Sequence, residues 1–315
     1  MTWEMLLGAS VAAATLRLAA PIALAALGGV VTERSGVTNI ALEASMLVGA
    51  FFGIVAADRT RNIWIALGVA LLAGILLATL HAYASITLRS DQIVSGMALN
   101  ILALGLTTYL DYQMYGTTGT PADLPGLPDV QLGFLTGVPY IGEAIGSQNS
   151  MVWLMGLLVV ALQLFLFRTV GGLRLRAVGE HPRAAETVGI DVRRIRYAAV
   201  LASGALAALG GAYLSLGVAH SFTDGMTGGR GFIGLAAMIF GRWTPVGALA
   251  ASLVFGYGNA LSTSLQGATL GDVRVPVQLL GTLPYVLTIL AVAGFVGRSR
   301  PPAADGIPYE TEGHA

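Results

Sequence analysis

Long apolar runs separated by short polar stretches make up most of the chain. A helix needs about 20 such residues to cross the roughly 30 Å hydrocarbon layer of a membrane. The runs are continuous and rich in Ala, Leu, Val and Gly, which predicts helices rather than the short alternating segments of a membrane barrel. We expect about eight full crossings and one short segment. The predicted spans are 6–31, 38–57, 63–88, 91–111, 151–168, 197–217, 227–241, 245–265 and 276–296.

Composition supports this interpretation and excludes a water-soluble fold. Of the 315 residues, 55% are hydrophobic and 11% are charged, whereas about 25% are charged in an ordinary soluble domain. Glycine occurs 42 times, and small residues let membrane helices approach closely. Gly49 and Gly53, in the stretch GAFFG, are candidates for such a contact. Other glycines can simply end helices.

The residue types that are missing exclude several chemistries. The chain contains no cysteine and no lysine, so it has no disulfide, no P-loop lysine and no Schiff-base lysine. Its four histidines lack the spacing of a zinc site, and it carries no HExxH or GxSxG motif. We expect no enzyme activity, metal or cofactor in this chain, and the zero net charge gives no case for nucleic acid.

The arginines predict the orientation in the membrane, because positive residues in short loops stay in the cytoplasm. Seven arginines fall within 168–196, and Arg34, Arg89 and Arg242 lie on the same side if the crossings alternate. The connection 112–150 contains acidic residues and no arginine. We therefore expect the first group in the cytoplasm and the 112–150 loop outside.

This arrangement also predicts on which side of the membrane each end of the chain lies. We expect residues 1–298 to form the transmembrane domain and residues 299–315 to form a hydrophilic cytoplasmic tail. The N-terminus lies outside only if the first run crosses once. Arg17 and Pro21 interrupt that run, so a surface helix followed by a span is the alternative.

The arginine-rich segment 172–196 is the most informative polar stretch. Pro182 suits the first turn of a short helix that ends near Gly189. On charge alone this is an ordinary cytoplasmic loop. Its order of small residues, with Gly179, Ala184, Ala185 and Gly189 followed by IDVRRIR, resembles the coupling loop of ABC-transporter permeases. It is especially similar to the branch that imports ribose-type sugars and nucleosides.

Three further blocks are similar to the same family. They are GGVVTERSGVTNIALEASMLVGAFFG at 28–53, QIVSGMALNILALGLT at 92–107 and TDGMTGGRGFIGLAAMIFGRWTPVGA at 223–248. Ala41 and Ala44 stand where the family commonly has glycine. The resemblance implies a type II ABC importer-like permease, an all-α polytopic bundle of about 8 to 10 transmembrane segments with a short discontinuous helix.

The resemblance also implies partners and a location. The short helix of the loop would sit in a groove of an ATP-binding subunit, which uses ATP and Mg. A second, non-identical permease and an extracytoplasmic solute-binding protein would complete an importer in the bacterial cytoplasmic membrane. The first and last blocks favour nucleosides over simple sugars as the solute. The implied coupling residues are Gly179, Pro182, Ala184, Ala185, Gly189 and Ile190.

Polar residues inside the predicted spans are candidates for the solute pathway, because ionisable groups in hydrocarbon are costly. Glu43 can line the path or fix a broken helix, or it can pair structurally with an arginine or with freed backbone N–H groups. Asn39, Gln92 and Asn100 can bind solute or join helices. Asp224 and Arg230 can contact solute or cap a helix as an ion pair.

Two mechanistic alternatives concern these polar groups. An ion-gradient-driven secondary transporter, with Glu43 as its proton or cation site, is the alternative to an ABC importer.

Residues 40–46 also resemble residues 233–238, and the predicted topology runs the two segments in opposite directions. Paired segments of this kind indicate an inverted repeat around a midplane pathway, although chance similarity between Ala- and Leu-rich spans is the simpler explanation.

Overall fold

The structure is a computed structural model, and it describes residues 7–116, 119–121, 123–133, 137–266, 269–270, 273–274, 277–282, 286 and 300–310. The predicted span at 276–296 falls largely outside these residues.

Helices account for most of the described chain. The first four are α1 (Ala9–Glu33), α2 (Leu42–Thr60), α3 (Ile63–Ala82, continued by a π-helical turn at Tyr83–Thr87) and α4 (Gln92–Tyr115). The next elements are β1 (Asp129–Gln131), α5 (Ile141–Ala144), β2 (Ser147–Asn149), α6 (Ser150–Arg168), α7 (Val170–Glu180) and α8 (Pro182–Thr187). The last are α9 (Val192–Ala212, continued by a π-helical turn at Tyr213–Ala219), α10 (Arg230–Phe240), α11 (Pro245–Ser264), β3 (Thr269–Leu270), β4 (Val273–Arg274) and α12 (Val277–Leu280). β1 pairs antiparallel with β2, and β3 with β4.

Five helices of the described part are long and apolar enough to cross a membrane, namely α1, α3, α4, α6 and α9. α2 and α11 have 19 and 20 residues, and α10 is a shorter apolar helix. The expectation of a multi-pass helical protein is confirmed, whereas the count of 8 to 10 segments stays a prediction. The first run forms one continuous helix through Arg17 and Pro21, so it is not a surface helix followed by a separate span.

α1 lies at the centre of the bundle. Every residue from Ala19 to Glu33 is buried, which is typical of a helix surrounded on all sides. α4, by contrast, exposes Ile93, Met97 and Ile101. Because these large apolar side chains face outward from a membrane-crossing helix, α4 is suited to contact with lipid.

Polar segments separate into two ends of the bundle. At one end Arg34 Nε donates to the Trp243 carbonyl at 2.8 Å, and Ala304 N donates to the Gly179 carbonyl at 2.9 Å. We call this the basic end, formed by residues 34–38, 87–92, 168–196, 242–243 and 300–310. At the other end Leu127 N donates to the Leu216 carbonyl at 3.0 Å. The 112–150 connection and the arginine-rich segment thus lie at opposite ends, as the charge pattern predicts.

Candidate functional site: the helix junction and the coupling segment

Two non-helical segments enter the bundle from opposite ends. Residues 37–41 lead from the basic end to the start of α2, and residues 220–229 lead from the other end to the start of α10. α2 then runs away from the basic end and α10 runs toward it. Both helices therefore begin inside the bundle, where their N-terminal ends meet. We call this meeting point the helix junction.

Glu43, in the first turn of α2, connects the two helices. Its Oε1 accepts hydrogen bonds from Thr227 Oγ1 at 2.6 Å and from Gly229 N at 2.8 Å, and its Oε2 accepts one from Gly231 N at 2.7 Å. The first amides of a helix have no partner within the helix, and the helix dipole favours negative charge there. Glu43 consequently caps α10 from another helix.

Backbone geometry at the start of α10 depends on two glycines. Gly229 has φ +78°, a left-handed conformation that glycine adopts without strain. A Cβ at position 231 would lie 2.5 Å from Glu43 Cα, so only glycine lets the two helix ends come this close. This contact gives the TDGMTGGRG sequence a structural explanation.

Asp224 and Arg230 take different places in the loop. Arg230 Nη1 donates to the carbonyls of Met226 at 3.2 Å and Thr227 at 3.1 Å, while Asp224 is exposed. Capping of α10, one of the roles considered for Asp224, belongs instead to Glu43. The sequence could not identify this partner because residues 43 and 229 are far apart in the chain.

The predicted amide side chains hold residues 38–44 in place. Asn39 Nδ2 donates to Ser203 Oγ at 3.0 Å and its Oδ1 accepts from Ala41 N at 3.0 Å. Asn100 accepts from Ala44 N at 2.9 Å and donates to the Ile40 carbonyl at 3.1 Å. In both side chains the amide nitrogen and the amide oxygen each form a hydrogen bond within the protein. Three of the predicted pathway residues, Asn39, Glu43 and Asn100, thus lie at the helix junction.

Gln92 differs from the other two amides. Its Oε1 accepts from Thr38 N at 2.7 Å. Its Nε2 is buried and has no hydrogen-bond partner among the described residues. An unsatisfied buried donor costs about 1–3 kcal/mol, so Gln92 has an atom available for a further partner.

The arginine-rich segment 172–196, which we call the coupling segment after the role that the resemblance implies, contains most of α7 and all of α8, joined at His181. α8 has Pro182 in its first turn and is followed by Gly189 with φ +82°, as the start and stop signals predict. Ala185 is only 4% exposed and packs with Val178, Val192 and Tyr309, and Ile190 packs against the same cluster.

Of the predicted coupling residues, Ala184 and Gly189 are exposed. Gly179 packs directly against the backbone of Arg34. The segment is thereby fixed to the rest of the protein through Gly179 and Ala185.

Residues 300–310 lie at the same end as the arginine-rich segment, but the sequence did not predict that they pack against other parts of the protein. Thr38 Oγ1 donates to Asp305 Oδ1 at 3.2 Å, and Arg196 Nη1 donates to the Ile307 carbonyl at 3.0 Å. Burial raises the pKa of Asp305 to about 6 against the opposing effects of the Thr38 bond and the Arg196 charge. The signal in the sequence was the presence of Ile307 and Tyr309 in an otherwise hydrophilic tail.

Comparison with known proteins identifies the family. The sequence profile described as "Branched-chain amino acid transport system / permease component" matches residues 11–292. The chain belongs to this permease family. The permease is 41% identical to the guanosine ABC transporter permease protein NupQ of Bacillus subtilis, over 94% of this chain and 95% of NupQ.

Other relatives carry similar names. The permease is 38% identical to the nucleoside ABC transporter permease protein NupC of Lactococcus lactis, over 92% of this chain and 93% of NupC. It is 26% identical to the glucose ABC transporter permease protein TsgB13 of Haloferax volcanii, over 94% of this chain and 79% of TsgB13. The sequence-based prediction of an ABC importer permease subunit is confirmed, and the family implies an ATP-binding subunit as its partner.

Proposed function

We propose that this permease carries nucleosides inward as one of two non-identical permeases of an ATP-driven importer. Its similarity to guanosine and nucleoside permeases over nearly the whole chain supports this solute class. A simple sugar is the second candidate, since two relatives from Haloferax volcanii are named for glucose. An extracytoplasmic binding protein would deliver the solute to the end that carries the 112–150 connection.

The basic end faces the cytoplasm in this proposal, and ATP and Mg are used by the partner subunit alone. The concentration of arginine there supports the orientation. It also places the C-terminal tail in the cytoplasm. α8, with its exposed Ala184, would then be available to a soluble ATP-binding subunit.

Coupling is proposed to act through the helix junction. Movement of α8 would be transmitted by Gly179, which packs on Arg34, and then by residues 37–41 to the start of α2. The three hydrogen bonds of Glu43 carry this proposal, because they tie α2 and α10 at one point. A shift of either helix end would open or close a path beside that point.

Solute contact is assigned by this proposal to groups whose hydrogen bonds are not all used by the protein. Exposed Asp224 is the first candidate. Gln92 Nε2 is the second, and because it is buried at the basic end it would be reached only when residues 37–41 move. Asn39, Glu43 and Asn100 would shape the path, while Arg230 holds its own loop. A nucleoside offers hydroxyl and ring acceptor atoms to which an amide N–H can donate.

Reconstitution tests the function. The permease, its second permease and its ATP-binding subunit are placed in liposomes, and uptake of radiolabelled guanosine is followed with the binding protein outside. We expect uptake to require ATP and to persist when ionophores dissipate all ion gradients. Uptake that collapses with the gradients despite ample ATP would support the secondary-transport alternative. Competition by unlabelled ribose or glucose would identify a sugar importer.

A further inference from the structure

The C-terminal segment lies directly against the coupling segment. Ala304 N donates to the Gly179 carbonyl at 2.9 Å, and Ala303 N donates to Glu180 Oε2 at 3.2 Å. The Tyr309 hydroxyl donates to the Glu186 carboxylate. Residues 303–309 therefore contact both α7 and α8.

The same segment is also attached to the rest of the protein. Besides its bond to the Ile307 carbonyl, the Arg196 guanidinium lies 5.8 Å from the centre of the Tyr309 ring. Tyr309 is 8% exposed and shares an apolar cluster with Ala185. An aromatic side chain buried against the coupling helix fixes the position of the tail relative to that helix.

A cavity of about 590 Å³ lies between the tail and α8. One wall includes His181, Pro182 and Ala184, and the other includes Ile307 and Pro308. The volume is within the range of sites that enclose a ligand or a large side chain. The exposed residue Ala184 of the coupling segment lines it.

Exposed apolar groups occur on both the tail and the coupling segment, at a polar end of the molecule. Ile307 is 56% exposed and Val188 is 75% exposed. Arg183 and Arg193 are also exposed on the coupling segment. Adjacent apolar and basic groups suit a protein partner with an apolar side chain beside acidic ones.

We propose that residues 303–310 and α8 together form one docking surface for the ATP-binding subunit, whose apolar side chain enters the cavity between them. This inference rests on the proposed function, since it extends the coupling surface from α8 to the tail. Continuity with α8 and the exposed arginines determine the choice of partner. A second copy of this chain is the alternative occupant that the experiment distinguishes.

Site-directed cross-linking tests the surface in the complete transporter. Because the chain has no cysteine, an introduced cysteine is the only attachment point on it for a benzophenone maleimide. Three variants are compared: Ile307→Cys in the cavity wall of the tail, Ala184→Cys in the wall of α8, and Pro301→Cys, exposed on the tail outside the cavity. We expect light-induced adducts with the ATP-binding subunit from the first two variants and not from the third.

The outcomes separate this inference from the proposed function. An adduct from Ala184→Cys without one from Ile307→Cys overturns the composite surface and leaves the coupling role of α8 intact. If neither variant gives an adduct, both the composite surface and the coupling role of α8 are overturned. An Ile307→Cys adduct with a second copy of this chain, or equal labelling from Pro301→Cys, also overturns the inference.

A transport measurement supplies a second test. Ile307→Glu should lower ATP-driven uptake about 10-fold, because a charge would replace an apolar contact at the interface. Pro301→Glu is the matched control and should transport like the unmodified protein. Both positions are exposed, so equal membrane yield and Tm are expected for the two variants. Normal uptake by Ile307→Glu would contradict the inference.

Discussion

Glu43 illustrates how one side chain can determine the local path of two helices. An ionised carboxylate only accepts hydrogen bonds, and here it meets one hydroxyl and two amide donors. It also places negative charge where two positive helix ends meet. A neutral side chain of the same shape cannot meet both requirements.

The substitution Glu43→Gln tests this role. Its amide group would direct N–H toward either Gly231 N or the Thr227 and Gly229 donors, leaving at least one buried donor without a partner. We expect a loss of stability of about 1–3 kcal/mol, measured as a lower Tm in detergent, together with a loss of ATP-driven uptake. Glu143→Gln, at an exposed position, is the control. Unchanged Tm and uptake in Glu43→Gln would contradict the capping role.

Ala184 and Ala185 are neighbours in sequence with different surroundings, and they provide a matched pair. Arginine at exposed position 184 should leave Tm unchanged and uncouple solute-stimulated ATPase activity, because it projects into the docking surface. Arginine at position 185 would enter the cluster of Val178, Val192 and Tyr309, so it should lower Tm by overpacking and buried charge. Coupled ATPase activity in Ala184→Arg would contradict the assignment.

At the scale of elements, the bundle is assembled through close contacts between helices. A Cβ at Gly49 would lie 2.5 Å from the Ala208 carbonyl oxygen, and one at Gly53 would lie 3.4 Å from Ala70 Cβ. Gly49 thus allows the backbones of α2 and α9 to approach closely, as expected from GAFFG. At Gly53 a methyl group would make only ordinary van der Waals contacts with side chains. Hydrophobicity alone would not select one arrangement, since lipid is equally apolar.

Gly211 provides the sharpest test of this packing. A methyl group there would overlap the Met46 carbonyl oxygen where α9 crosses α2. We expect Gly211→Ala to destabilise the protein by about 1–3 kcal/mol or more, seen as a lower Tm and less monodisperse protein. Gly156→Ala in α6, where a Cβ would meet nothing within 4 Å, should have the normal Tm. Equal behaviour of the two variants would contradict close packing at Gly211.

At the scale of the whole molecule, the C-terminal tail links elements that are distant in the chain. Asp305 faces Glu33 of α1 and Arg196 of α9 and accepts a hydrogen bond from Thr38. The tail therefore connects the core helix, the segment leading to the helix junction, and the coupling segment. The stability of the packed tail should therefore depend on whether Asp305 is charged.

The raised pKa of Asp305 predicts the direction in which stability changes with pH. Folding favours the protonated carboxyl, because its pKa rises from 3.8 to about 6 on burial. The stability from this group is fully present below pH 3.8 and is lost as pH rises through about 6. We expect the Tm of Asp305→Asn minus that of the unmodified protein to increase between pH 5 and pH 8. A difference that is flat or falls with pH would contradict the prediction.

The sequence alone determined the features that depend on local residues. Crossing a membrane requires consecutive apolar residues, so the long helices were predictable from hydropathy. The short coupling helix was predictable because Pro182 and Gly189 act on their own backbone. The separation of the arginine-rich segment from the 112–150 connection followed from the charge of each loop.

Only the tertiary structure decided which distant residues meet. That Glu43 caps α10, that Ala184 faces outward while Ala185 is buried, and that Tyr309 packs on the coupling segment all depend on how separate segments approach one another. Hydropathy is the same for many arrangements of the same helices. The choice among them depends on steric fit at glycines and on hydrogen bonds between residues far apart in the chain.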